Sequence, residues 1–140
     1  MIVVDTNVAS ELMRPAPSER VRDWVRGQPP DDLYTSAITV AEIRYGIERL
    51  PEGTRKVELR AAAVEVFGAF ADRVLAFDAA AAEQYSLIVS RRERLGISIE
   101  WFDAQIAAIC RLHRAALATR NVSDFRETGI GVINPWDSQT

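Results

Sequence analysis

Four carboxylates of this chain stand where local structure would aim them at a common point. Asp5 closes an apolar run, Glu42 lies early in a helical stretch, Asp103 falls in the first turn of a later one, and Asp124 follows a short apolar strand candidate. In an open parallel sheet, functional groups gather outside the carboxyl ends of the strands near the point where strand order reverses, so four such residues are able to converge. Carboxylates about 5 Å apart at an effective dielectric near 20 repel by about 3 kcal/mol per pair, so a cluster of them requires a cation. Oxygen-only donors suit Mg2+ or Mn2+, which accept carboxylates and water, whereas zinc recruits histidine or cysteine. The chain has a single histidine, His113, and a single cysteine, Cys110. A divalent ion held by carboxylates activates water against a phosphodiester and neutralises the leaving oxygen. The expected chemistry is phosphodiester hydrolysis in which no side chain is the nucleophile.

Each acid also has an ordinary explanation. A strand-end Asp often caps a helix, an exposed helical Glu is usually solvated, and Asp124 is able to cap or turn. Asp103 is the strongest case taken singly, because it aligns with the apolar face of Ile106, Ala107 and Cys110, and a carboxylate there is costly to bury unless paired or metal-bound. A first-turn Asp also gains from the helix dipole.

The elements that must position these acids alternate short apolar strands with helices, the pattern of a parallel sheet covered by helices. Met1 to Asp5 reads as a buried strand and Asn7 to Met13 as a short helix stopped by Pro15 and Pro17. Ser18 to Gly27 reads as a second helix, followed by a loop rich in Pro and Asp and a strand from Leu33 to Ile38. Thr39 is placed as the cap of a helix whose stripe is Val40, Ile43, Ile47 and Leu50, closed by Pro51 and Gly53. Thr54 to Phe70 continues as a long helix, Val74 to Phe77 as a third strand, and Asp78 caps a helix running to about Arg94 and ending at Gly96. A further helix starts near Trp101. Ala115 to Thr119 makes a fourth strand, Val122 to Glu127 a short helix, and Gly131 to Asn134 a final strand stopped by Pro135.

At 140 residues and 48% hydrophobic the chain is long enough to bury roughly 70% of its unfolded surface, and residues 1–140 are expected to form one domain. Cys110 has no partner for a disulfide and no cluster for zinc, so it is placed in the core. No apolar run approaches the roughly 20 residues that span a bilayer, and Asp5 interrupts the opening run too early for a signal peptide, so the expectation is a cytoplasmic protein with no membrane association. A net charge of -3 argues against nucleic-acid binding through bulk charge, though not against a local basic rim. Sixteen of the 17 basic residues are arginine, the exception being Lys56. Arginine suits bidentate phosphate recognition, and a GC-rich genome gives the same bias.

Val3-Val4-Asp5-Thr6-Asn7, the Glu42 within Ser36 to Ile43, and Asp103-Ala104-Gln105-Ile106-Ala107-Ala108 occur in the order and spacing of a known family. The chain resembles the PIN-domain VapC toxins, and Leu117 to Phe125 followed by Val132-Ile133-Asn134-Pro135-Trp136 resembles the branch that includes the FitB-like proteins. The resemblance implies an α/β fold, a PIN-like α/β/α sandwich with a central, mainly parallel sheet of four to five strands. It further implies a Mg2+- or Mn2+-dependent endoribonuclease toxin of a type II toxin–antitoxin system, cutting tRNA or rRNA and so inhibiting translation and growth. Asp5, Glu42 and Asp103 match the family's three acidic metal-site positions. For the fourth there are two readings: Asn121 stands where many PIN domains carry an acid, and Asp124 lies three residues on. Thr6 and Asn7 match positions lining the site, Thr6 to hydrogen-bond a carboxylate or phosphate and Asn7 to orient Asp5; packing or capping would account for both equally well.

The partners so implied are an RNA substrate, a second copy in a homodimer, a VapB-like antitoxin whose tail inserts near the site, and operator DNA reached only through the antitoxin complex. Two positions depart from the family pattern. Glu100-Trp101-Phe102 is bulkier than usual before Asp103, and Arg114 replaces a frequent glycine. Burial at the helix start is the commoner fate of an aromatic such as Trp101; the alternatives are narrowing access to the site or meeting a partner. Arg14, Arg91, Arg92 and Arg120 are read as guides for an RNA backbone, as antitoxin contacts, or as a solvated surface.

Other phosphoryl chemistries fit poorly. A haloacid-dehalogenase-like phosphohydrolase wants a second Asp where Asn7 stands, and a phospho-receiver domain wants a lysine late in the chain rather than Lys56. The remaining alternative is a catalytically silent PIN fold acting as a binding module through a partner protein or nucleic acid, but such modules usually lose acidic ligands, and here Asp5, Glu42 and Asp103 remain.

Overall fold

The computed structural model describes residues 1–137. Five strands, β1 (Ile2–Val4), β2 (Leu33–Ser36), β3 (Val74–Leu75), β4 (Ala116–Ala118) and β5 (Val132–Ile133), form one sheet in the order β3-β2-β1-β4-β5. Every pairing is parallel, and the helices α1 (Thr6–Leu12), α2 (Glu19–Arg26), α3 (Ala37–Glu48), α4 (Thr54–Phe70), α5 (Ala79–Arg94) and α6 (Trp101–His113) connect the strands. The expected helix-covered parallel sheet is the one that forms.

Period-two alternation along the central strands divides the core between the two faces of the sheet. Val3 and Leu117 pack with Ile88 of α5 and Ile106, Ala107 and Cys110 of α6. Their strand neighbours Val4 and Ala118 pack with Val8 of α1, Val21 and Trp24 of α2 and Phe70 of α4. A third cluster, Ala9, Ile43, Ile47, Ala63 and Phe67, ties α3 to α1 and α4. The helical stripes at Ile43 and Ile47 and at Ala63 and Phe70 are thus buried as their spacing predicts, and Cys110 is fully enclosed.

The strand order fixes where a site can form. From β1 the chain steps outward to β2 and β3, then returns to lay β4 on the other side of β1, so strand order reverses between β1 and β4. Register pairs Val4 with Ala118, and the Asp5 N–H extends the ladder to the Ala118 carbonyl at 2.9 Å. Asp5 and Thr119 therefore leave the sheet side by side at the reversal, where the crevice of such a sheet opens.

Several boundaries differ from the sequence reading for local reasons. β2 stops at Ser36 rather than Ile38, because Ser36 takes the cap position assigned to Thr39: its hydroxyl accepts the Thr39 N–H at 3.1 Å and α3 begins at Ala37. The predicted helix from Val122 to Glu127 is a single 3-10 turn over Val122–Phe125, since Arg126 is extended and Glu127 has a φ of 60°. Asp78 caps α5 as expected, accepting from Ala81 N–H at 3.0 Å. Gly96, at a φ of 71°, closes α5 with two bonds, its own N–H to Glu93 and the Ile97 N–H to Arg92, the paired pattern that a left-handed glycine permits. Arg114 ends α6 in the same left-handed region, at a φ of 54°, where glycine would carry no steric cost.

Candidate functional site

Asp5 is 3% exposed and both of its oxygens are occupied. As the cap of α1 it accepts the Thr6 N–H at 2.8 Å on Oδ1, and Oδ2 accepts the Thr119 hydroxyl at 2.7 Å. Burial pushes its pKa up more than these two bonds pull it down, and the charge of Asp124 raises it further. Thr119 is fully buried and fully used: its oxygen also accepts Asn7 Nδ2 at 3.1 Å and the Asn121 N–H at 3.1 Å. Asn7 closes the loop by accepting the Arg120 N–H at 3.2 Å. It therefore orients Asp5 only indirectly, through Thr119.

Glu42 comes from the second turn of α3 and is held by Thr6, whose hydroxyl donates to Oε1 at 2.9 Å and lies 3.2 Å from the Thr39 hydroxyl. Burial raises its pKa against the Thr6 bond, and the charges of Asp5 and Glu100 add to the rise. Asp103, in the first turn of α6, is half-buried beside the fully enclosed Ala104 and Ile106. Its pKa is raised to about 7, first by burial and then by Asp5, Glu100, Asp124 and Glu42, all of them carboxylates. Asp124 sits exposed in the 3-10 turn after β4.

The structure thus gathers Asp5, Glu42, Asp103 and Asp124 about the strand-order reversal: Asp103 feels the charges of Asp5, Asp124 and Glu42, Asp5 that of Asp124, and Glu42 that of Asp5. Thr6 bridges two of them, while Asn121 contributes backbone bonds, its N–H to Thr119 and its carbonyl to the Asp124 N–H at 3.1 Å. The sequence reading missed two members. Glu100 caps α6, accepting from Phe102 and Asp103 N–H at 3.1 and 3.4 Å, and its charge reaches both Glu42 and Asp103. Its place three residues before Asp103, at the head of an apolar run, was the available signal. Thr119 had only the signal of a polar residue ending an apolar strand.

Trp101 overturns the expectation of burial: it is 70% exposed, with one flank against Tyr85 at 6.2 Å between ring centroids. Two residues from Asp103 along a helix of 3.6 residues per turn, it points to another side of α6 and need not fill the acidic crevice. Arg92 also departs from its reading, being 3% exposed. Of the other arginines read as RNA guides, Arg91 pairs with Glu127 at 2.7 Å, Arg14 with Glu11 at 3.2 Å, and Arg120 lies over the Trp136 ring at 4.9 Å.

Among the described residues, no three His, Cys, Asp or Glu side chains already stand close enough to grip one ion, and no lysine or arginine forms an ion pair with Asp5, Glu42 or Asp103. The donor set nonetheless suits Mg2+ or Mn2+. It is all oxygen, its charges are unbalanced, and such ions keep several waters between themselves and some of their carboxylates. A groove of about 880 Å³ is lined by Thr6, Asn7, Glu42, Arg14, Arg55 and Arg120, among others.

Comparison with known proteins identifies the family. The PIN domain family profile matches residues 2–130. The chain is 41% identical to the VapC ribonuclease Y4jK of Sinorhizobium fredii, covering 98% of this chain and 99% of that one, and 40% identical to toxin FitB of Neisseria gonorrhoeae, covering 97% and 99%. Among solved structures, FitAB bound to an IR36 DNA fragment contains a chain that superposes with a TM-score of 0.91 at 39% identity, over 100% of this chain and 99% of that one.

Proposed function

The chain belongs to the PIN domain family, and from that premise we propose that it is the metal-dependent endoribonuclease toxin of a toxin–antitoxin pair. The observation that carries this reading is the gathering of Asp5, Glu42, Asp103 and Asp124 at the strand-order reversal, with Asp103 lifted to about 7 first by burial and then by its acidic neighbours. Asp5, Glu42 and Asp103 are buried or half-buried, each with a raised pKa and none in an ion pair with lysine or arginine among the described residues, an arrangement that is costly unless a cation offsets it.

In this reading Asp5, Glu42 and Asp103 hold Mg2+ or Mn2+, with Asp124 as the fourth acid. Once bound, the ion supplies water activation and charge neutralisation for phosphodiester hydrolysis. The protein's own contribution is placement. Thr119 fixes one oxygen of Asp5, Thr6 fixes one oxygen of Glu42, and the cap of α6 by Glu100 sets the turn that carries Asp103. Glu42 lines the same groove as Arg14, Arg55 and Arg120, where a single-stranded RNA backbone would meet positive charge.

The named relatives support the wider setting. The names of two relatives, a VapC ribonuclease and toxin FitB, support RNA as the substrate and a toxin as the role; in this reading tRNA or rRNA is the substrate class, and arrested translation and growth in the cytoplasm the outcome. FitAB bound to DNA, a neighbour at 39% identity, supports a partner protein and a DNA-bound complex; in this reading the toxin is a homodimer with a cognate VapB-like antitoxin, and reaches operator DNA through that antitoxin. Incubation of antitoxin-free protein and its Asp5→Asn variant with total cellular RNA, in Mg2+, Mn2+ or EDTA, tests the reading, with cut ends mapped by sequencing. Discrete cuts that need both metal and Asp5 are expected. Folded protein that cuts nothing, or cutting that survives Asp5→Asn, would overturn it.

A further inference from the structure

Arg92, in the last turn of α5, is a buried cation whose direct partners are not carboxylates, although the charges of Asp124, Asp103 and Glu127 reach it. Among the described residues no carboxylate forms an ion pair with it, and its guanidinium instead donates to backbone carbonyls: Nη1 to Asp124 at 2.9 Å and to Arg126 at 2.7 Å, Nη2 to Ser98, and Nε to Ile97 at 3.5 Å. These carbonyls belong to two separate loops. Ile97 and Ser98 form the link into the α6 cap, Glu100, and so to Asp103; Asp124 and Arg126 belong to the turn after β4. One planar fork thus binds both of the segments that deliver the late acids of the site.

Removing Arg92 would leave its carbonyl acceptors without this donor and so cost stability whatever else it does. What an apolar side chain cannot do is fix four carbonyls relative to one another, and lysine, with three donors on a single nitrogen, does it less well than a guanidinium. We propose that Arg92 is a positioning residue of the metal centre, clamping the Ser98 loop to the Asp124 turn so that Asp103 and Asp124 stand at a fixed separation. This rests on the reading of the acidic cluster as a metal site. Residues behind metal ligands commonly change metal affinity by about 10- to 100-fold when removed.

The test measures Mn2+ binding to RNA-free protein by calorimetry, for wild type, Arg92→Met and Arg92→Lys, alongside urea unfolding and the RNA-cleavage KM. In folded Arg92→Met, Mn2+ affinity is expected to fall by about tenfold or more, with the half-saturating Mn2+ for cleavage rising in step and the KM for RNA unchanged within about twofold. Arg92→Lys is expected to lie between the two, and it decides the matter if Arg92→Met fails to fold. Wild-type Mn2+ affinity in a folded variant, with only the unfolding midpoint moved, would overturn the clamp and leave the nuclease reading standing. A wild-type protein that binds no Mn2+ would bring down both.

Discussion

The hydroxyl of Thr119 donates to the Asp5 carboxylate at 2.7 Å across 114 residues of chain, while accepting from Asn7 and from the Asn121 backbone. One donor and two acceptors exhaust what a hydroxyl can do. In Thr119→Val the buried Asp5 oxygen and two amide groups lose their partner, so stability is expected to drop by about 1–3 kcal/mol in urea unfolding. The Asp5 carboxyl should also rise further, weakening divalent-ion binding near neutral pH. A variant within about 0.5 kcal/mol of wild type that binds Mn2+ equally well would show that this bond organises nothing.

Metal-free protein is expected to lose stability as pH rises toward neutrality. Asp103, Asp5 and Glu42 all have raised pKa values in the folded state, Asp103 to about 7. Between the ordinary carboxylate range near 4 and about 7 the folded chain holds more protons than the unfolded one, so the stabilising contribution of these groups is complete at the acid end and lost at the neutral end. Glu11, Glu48 and Glu52 are shifted downward, so their effect falls at lower pH, below the ordinary glutamate value of 4.5. Urea midpoints from pH 5 to 8 in EDTA should decline, and Mg2+ should reverse the decline at pH 7. A metal-free midpoint that climbs throughout would contradict the cluster's electrostatics.

The two readings of the fourth site position separate cleanly by mutation. The charge of Asp124 acts on both Asp5 and Asp103, whereas Asn121 works through its backbone. Asp124→Asn is expected to raise the half-saturating Mg2+ for cleavage by about tenfold, and Asn121→Ala to leave it within about twofold. The opposite ranking would move the fourth position to Asn121.

Arg114→Gly should stabilise the protein. Arg114 ends α6 at φ 54° and ψ 37°, a conformation costing a non-glycine residue about 1 kcal/mol. Glycine's larger unfolded-state entropy offsets part of that, so a net gain of about 0.5 kcal/mol is expected. A loss would mean that the Arg114 side chain makes contacts worth more than the strain.

The alternation of strands with helices and the burial of the first strand at Val3 and Val4 followed directly from residue type, as did the long helix over Thr54–Phe70. What local reading could not supply was competition between neighbours for one role. Ser36 and Thr39 both suit a helix cap, and only the three-dimensional path of β2 gives the position to Ser36. Asp5, Glu42 and Asp103 were legible because strand ends and first helical turns mark where a parallel sheet places its chemistry. Thr119 and Glu100 were not, because each acts through a neighbour. Arg92 was misplaced for a similar reason: its charged surroundings, Arg91 to Arg94, read as solvated surface, and its carbonyl partners have no side-chain signature at all.

The all-parallel sheet also bears on how such a protein is made. Parallel neighbours cannot be joined by a tight hairpin, and β1 gains one of its two flanking strands only when β4 arrives. A growing polypeptide that has emerged as far as α6 already carries Asp5, Glu42 and Asp103, yet Asp5 still lacks Thr119 and Asp124 has not followed. The acidic cluster is therefore completed only once β4 and the turn after it have joined the sheet.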